Sequence, residues 1–175
     1  MRFQGNYTIS KRFRTTVFAL VCALAVAAGF LIGGSRTAAE EISCWILCRP
    51  GSQVYARRTP DKGGQVVGFL EVGDVFRTTG ESRNGWILAE GIGEYGEAWI
   101  YCGYVVTDPP EKVGENYVCV AKKQVACRRW VDGPQVARSP WLRNGSSVQV
   151  FYIAGDWAVT SRGYIRTEWL EVDPV

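Results

Sequence analysis

Hydrophobic and polar positions divide this chain of 175 residues into two unlike regions. Met1–Arg14 carries Arg2, Lys11, Arg12 and Arg14 and no acid, and Thr15–Ser35 (TTVFALVCALAVAAGFLIGGS) carries no charge at all. A basic flank ahead of an apolar run is the pattern of a secretory signal or a membrane anchor. A tilted membrane helix needs about 20 residues, so 1–39 is expected to hold one hydrophobic helix, as a cleaved signal peptide or a retained anchor. Thr37 and Ala39 place small residues ahead of a cut before Glu40. The FALV before Cys22 lacks the small residue that precedes a lipidated cysteine, so no lipoprotein is read. After Glu40 the pattern becomes short, β-branched or aromatic runs separated by turn residues. Val66–Leu70, Val75–Thr78, Trp86–Ala89 and Trp99–Tyr101 are predicted strands, with turns at Gly63-Gly64, Gly73-Asp74 and Asn84-Gly85. No stretch there sustains a helical period over three turns.

The second region repeats itself. QVYARR (Gln53–Arg58) returns as QVACRR (Gln124–Arg129), 71 positions on. NGWILA (Asn84–Ala89) answers AGDWAV (Ala154–Val159), with Trp86 opposite Trp157, again 71 positions apart. AWIYCGYV (Ala98–Val105) answers GYIRTEWL (Gly163–Leu170), which matches Trp99 to Tyr164 and Tyr104 to Trp169. The first copy has extra residues around Gly91–Gly96, where a loop tip absorbs them cheaply. Each copy is near the lower size limit for an independent core, and closing a small sheet on itself removes its exposed edges. The expected fold is all-β: two tandem small β barrels at 44–108 and 117–175, joined by a stiff polar linker at 109–116.

These residues resemble the bacterial SH3-like repeat, the SH3b class. Val54-Tyr55-Ala56-Arg57-Arg58-Thr59-Pro60 stands for the opening strand and turn of that family. Val66-Val67-Gly68-Phe69-Leu70 with Gly73, then Gly85-Trp86, then Ala98-Trp99 stand for its later elements. The second copy lacks the proline turn but keeps Gly145, Trp157, Gly163 and Trp169-Leu170. The resemblance implies SH3-like barrels and a ligand in the cell wall, peptidoglycan or its peptide cross-bridge.

Composition narrows the chemistry. The chain has no histidine, so Ser–His–Asp, Cys–His and histidine-rich zinc sites cannot be assembled. Glu94 and Glu97 sit in the glycine-rich loop and read as solvated rather than as an acid–base pair. No catalytic residue, cofactor or metal site is therefore expected, and no enzyme. Glu40–Val175 carries 15 basic and 17 acidic residues, so the overall charge of +3 belongs to the N-terminal segment and nucleic acid is not an expected partner. Aromatic side chains are the candidates for binding: Tyr55, Trp99, Tyr101 and Tyr104 in the first copy, and Trp130, Trp141 and Tyr152 in the second. Their flat faces suit glycan rings or extended peptides. Ligand contact is expected near Tyr55, Trp99 and Tyr101, or at a counterpart near Trp130 and Tyr152.

Five cysteines follow Glu40 and export would permit their oxidation. Cys48 and Cys119 stand five residues before Gln53 and Gln124, and so are expected at equivalent places. An extended CWILC spans about 13 Å, too far for a Cys44–Cys48 bond with its limit of about 7 Å between Cα atoms. Barrels of the resembled type run their first and last strands side by side, which implies a bond from Cys102 to Cys44 or Cys48. The alternative is a bent CWILC that joins Cys44 to Cys48. Cys119 and Cys127 are left as a second bond or as thiols. The expected function is a non-enzymatic exported module of the cell envelope, secreted or anchored by its single N-terminal helix, that binds peptidoglycan. The alternative is a protein–protein interaction module at the cell surface, with an envelope protein as partner.

Overall fold

The computed structural model describes residues 41–92, 96–138 and 141–173. The expected N-terminal hydrophobic helix lies outside them, as does Glu94. Among the described residues the chain is all-β, its helical content being two 3-10 turns of three residues each, Cys102–Tyr104 and Thr167–Trp169. No helix among these residues is long and apolar enough to cross a membrane.

In the first half, β1 (Ile42–Ile46), β2 (Val54–Arg57), β3 (Val66–Leu70), β4 (Val75–Thr78), β5 (Ser82–Arg83), β6 (Trp86–Glu90), β7 (Glu97–Tyr101) and β8 (Val105–Val106) form one antiparallel sheet. Its order is β3-β2-β7-β6-β4-β1-β8, with β5 beside β6. Strand β4 shows why the sequence folds so: Phe76 and Thr78 are buried while Val75 and Arg77 are exposed, the two-residue period of a sheet with one wet face. Asn84 and Gly85 both take positive φ, 52° and 79°, as the two-residue turn between β5 and β6 demands.

The second half contains β9 (Glu111–Lys112), β10 (Asn116–Cys119), β11 (Val125–Ala126), β12 (Trp141–Leu142), β13 (Ser147–Ala154), β14 (Trp157–Thr160), β15 (Gly163–Arg166) and β16 (Leu170–Val172). Its main sheet runs β15-β14-β13-β10-β16 with β9 along β13, and β11 and β12 pair separately. The segment 109–116 is thus more than a bridge. Lys112 pairs with Tyr152, and Asn116 already opens β10.

The repeat recurs in the backbone hydrogen bonds. Arg57 pairs with Trp99, and Arg128 with Tyr164. The guanidinium of Arg57 donates to the carbonyl of Gly64 at 2.6 Å, and that of Arg128 to Gly133 at 2.8 Å. The N–H of Glu71 is capped by the Asp74 carboxylate and that of Arg143 by the Ser146 hydroxyl. One expectation is corrected. The N–H of Ile46 donates to Asp74 and that of Cys119 to Ser146, each at 2.9 Å, so Cys119 occupies the place of Ile46 rather than that of Cys48. Likewise the N–H of Leu47 donates to Tyr104 and that of Val120 to Trp169. The shift of two residues is absorbed by the turn at Arg49–Ser52, closed by a Ser52 to Arg49 bond with Gly51 at φ 70°, which is longer than its Lys122-Lys123 counterpart.

Each half has its own core, with Ile46, Ala56, Phe76 and Ile100 in the first and Cys119, Leu142, Val148 and Ile165 in the second. A third cluster belongs to both. Leu47 and Val106 from the first half share it with Ala154, Trp157, Val159 and Tyr164 from the second. Glu40–Val175 accordingly forms one compact unit.

Candidate binding surfaces

The contact between the halves uses several of the aromatic side chains. The hydroxyl of Tyr164 is buried and donates to the carbonyl oxygen of Leu47 at 2.9 Å. Burial pushes its ionisation well above the ordinary tyrosine range. Trp130 leaves the second half and lies on the 3-10 turn of the first, so close to Gly103 that a Cβ there would collide with its ring. Gly133 meets the same indole from its own loop. The next N–H, of Val131, donates to the carbonyl of Gly103 at 3.0 Å. Tyr101 stands edge-on to Trp130, with ring centroids 5.4 Å apart at 88°, and Tyr104 is tilted against it at 6.3 Å. Tyr104 titrates above its ordinary range, first because it is desolvated and then because of charge at Cys48 and Tyr101.

The expected aromatic sites are therefore rearranged. Tyr101, Tyr104 and Trp130 do come together, half-buried at the contact between the halves. Trp130 is not the second-half counterpart of the Tyr101 face, since the repeat places it opposite Thr59. Tyr152 packs against the shared cluster, and Trp99 is nearly buried. Tyr55 and Trp141 remain exposed. Tyr55 faces Phe69 across β2 and β3, edge-on at 5.4 Å, and the Arg57 guanidinium lies 5.3 Å from the Tyr55 ring. Phe69, 58% exposed, was not singled out by the sequence reading. The signal was available: with Leu70 buried, strand alternation turns its neighbour outward. Trp141 pairs with Ala126 as Phe69 pairs with Tyr55, so both opening hairpins carry an exposed aromatic ring at one equivalent position.

Among the described residues each half lines an open concavity. In the second half a cavity of about 270 Å³ is lined by Arg128, Asp132, Trp157, Arg166 and Trp169, with Val125 and Ala126. The Arg166 guanidinium lies 4.3 Å from the Trp157 ring centroid and binds Asp132 at 2.9 Å and Asp156 at 3.7 Å. It bridges two carboxylates over an aromatic face, and its remaining N–H groups can donate to the amide carbonyls of an extended ligand. In the first half a cavity of about 280 Å³ is lined by Arg58, Leu88, Glu97 and Trp99, with Arg83 5.6 Å from the Trp99 ring.

Cys44, Cys48, Cys119 and Cys127 stand as buried thiols, so neither the expected bond from Cys102 to Cys44 or Cys48 nor a Cys44–Cys48 or Cys119–Cys127 bond is made. Cys44 and Cys48 are buried in the first core, and Cys119 and Cys127 in the second. Burial pushes Cys44 and Cys48 up to about 11, helped at Cys44 by charge on Cys102, and raises Cys127. Cys102 thus lies within electrostatic reach of Cys44. Among the described residues no group of three or more Cys, Asp or Glu side chains could hold a metal ion.

No protein-family model matches this chain, and no curated protein matches it. Among solved structures, NlpC1 from Trichomonas vaginalis is 15% identical over 83% of this chain and 51% of its own, with a TM-score of 0.33. NlpC2 from the same organism is 13% identical over 78% and 50%, with a TM-score of 0.32. The chain spans about half the length of each.

Proposed function

We propose that this chain is a non-enzymatic binding module of the bacterial envelope. In this reading two tandem SH3-like barrels stand outside the membrane, secreted or held by the N-terminal segment, and bind peptidoglycan or its peptide cross-bridge. The observation that carries the reading is the repeated hydrogen-bonded frame together with the open second-half groove, where half-buried Trp169 offers a flat face and Arg128 and Arg166 line the wall with guanidinium donors. A stem or cross-bridge peptide presents amide planes and carboxylates, which such a groove complements. The absence of histidine supports the lack of catalysis. So do the thiols: a nucleophilic cysteine needs a lowered pKa, whereas those of Cys44, Cys48 and Cys127 are raised. Cosedimentation of the detergent-solubilised protein with purified cell-wall sacculi tests the reading. Saturable retention that Arg166→Ala weakens supports it, and no retention at any protein concentration rejects it.

A second reading, a protein-interaction module at the cell surface, is favoured by one observation. The 3-10 turn of the first half already receives a peptide loop, the one bearing Trp130. Retention of an envelope protein by the chain, with none of the cell wall, would select this reading.

A further inference from the structure

The two halves dock asymmetrically. The second half offers its β14–β15 face (Val159, Tyr164), and the first half offers the edge formed by Leu47 and Val106 beside its 3-10 turn. Because the halves repeat, each of these surfaces has a counterpart elsewhere on the molecule. The counterpart of the face is β6–β7 of the first half, where Leu88 stands for Val159 and Trp99 for Tyr164, and this is the open cavity of about 280 Å³. The counterpart of the edge is in the second half, where the hydrogen-bond register puts Val120 in the place of Leu47 and Glu171 in that of Val106. Burial distinguishes the two sets. Leu47 and Val159 are fully buried and Val106 nearly so, while Val120 and Leu88 are only half-buried and Glu171 is exposed.

We infer that the open β6–β7 face of the first half is a docking surface for the second-half edge of another copy of this chain. This inference rests on the repeat and not on the proposed cell-wall ligand. Three pairs in the internal contact convert into pairs that still fit. Tyr164 donates to the Leu47 carbonyl, and at the equivalent positions stand Trp99, whose indole N–H is also a donor, and Val120, which also carries a backbone carbonyl. Val106 and Ala154 share the internal apolar cluster, and their counterparts are Glu171 and Arg83, which carry opposite charges. Arg83 is 64% exposed, and beyond its contact with Trp99 it is held by Glu81 at 3.3 Å, an exchangeable surface pair. Trp130 demands a glycine at 103, whereas its counterpart Thr59 is small and the counterpart of Gly103 is Glu168. The bulk removed from one side reappears on the other. A contact of face to edge is heterologous, so repeating it builds a ring or a linear array of copies rather than a closed two-fold dimer.

Sedimentation velocity of the full-length protein in mild detergent, over a concentration series, tests the inference. The wild type should associate as concentration rises. Arg83→Glu alone and Glu171→Arg alone should each weaken association about tenfold or more, because each places like charges together. Mixing the two single variants should restore it, since each copy then meets an opposite charge at both contacts, and this arm also shows that neither variant is misfolded. A protein that stays monomeric throughout overturns the inference. So does association that the single reversals leave unchanged, or a mixture no stronger than its components.

Discussion

The hydroxyl of Tyr164 donates at 2.9 Å to the backbone carbonyl of Leu47, 117 residues earlier in the chain and in the other half of the repeat. Both groups are buried, so the bond has no water to replace it if the donor is lost. Tyr164→Phe keeps the ring and strands the carbonyl, and is expected to lower stability by about 1–3 kcal/mol. Denaturant unfolding measures this through a lower midpoint at unchanged slope.

Trp130 and Gly103 form a second such relation. Gly103→Ala puts a methyl group into the indole, and Trp130→Ala removes the packing of a half-buried ring, about 1–3 kcal/mol. The two changes should be strongly non-additive, because the added methyl group finds space once the indole is gone. A double-mutant cycle by thermal unfolding checks it. Additive losses would show that the indole does not rest on this turn.

The buried thiols make stability fall in alkali. Folded Cys44 and Cys48 ionise near 11 against an ordinary 9.0, so between those values the unfolded chain loses protons that the folded chain keeps. Their contribution, on the order of 2 kcal/mol per thiol, is complete below pH 9 and is lost as pH rises towards 11. Unfolding midpoints should hold from pH 7 to 8.5 and drop above 9. Replacing both cysteines with alanine should reduce that drop and leave the part that Cys127, Tyr104 and Tyr164 contribute.

Strand positions were largely legible from the chain, because a small sheet with one wet face writes its period directly into alternating side chains. Val66–Leu70 and Val75–Thr78 match β3 and β4 residue for residue, and the Asn84-Gly85 turn falls where its positive φ requires. The repeat was legible too, except at its opening strand. There a constant offset paired Cys48 with Cys119, because the extra length of the Arg49–Ser52 turn leaves no mark in the matched hexapeptides. The roles of the aromatic residues were not legible. Tyr101, Tyr104 and Trp130 have the composition of a ligand groove, and only the docking of one half on the other turns them inward. Tyr55, Phe69 and Trp141 stay outside, and strand alternation against buried Val54, Ala56, Leu70 and Leu142 reveals it.

The second-half groove is predicted to hold cell wall without cutting it. The deciding measurement is a binding isotherm of the full-length protein on purified sacculi, with the supernatant analysed for soluble wall fragments. Saturable binding is predicted, weakened about tenfold or more by Arg166→Ala or Trp169→Ala and little changed by Tyr55→Ala, with no fragments released. Release of fragments, or binding indifferent to both groove substitutions, would contradict it.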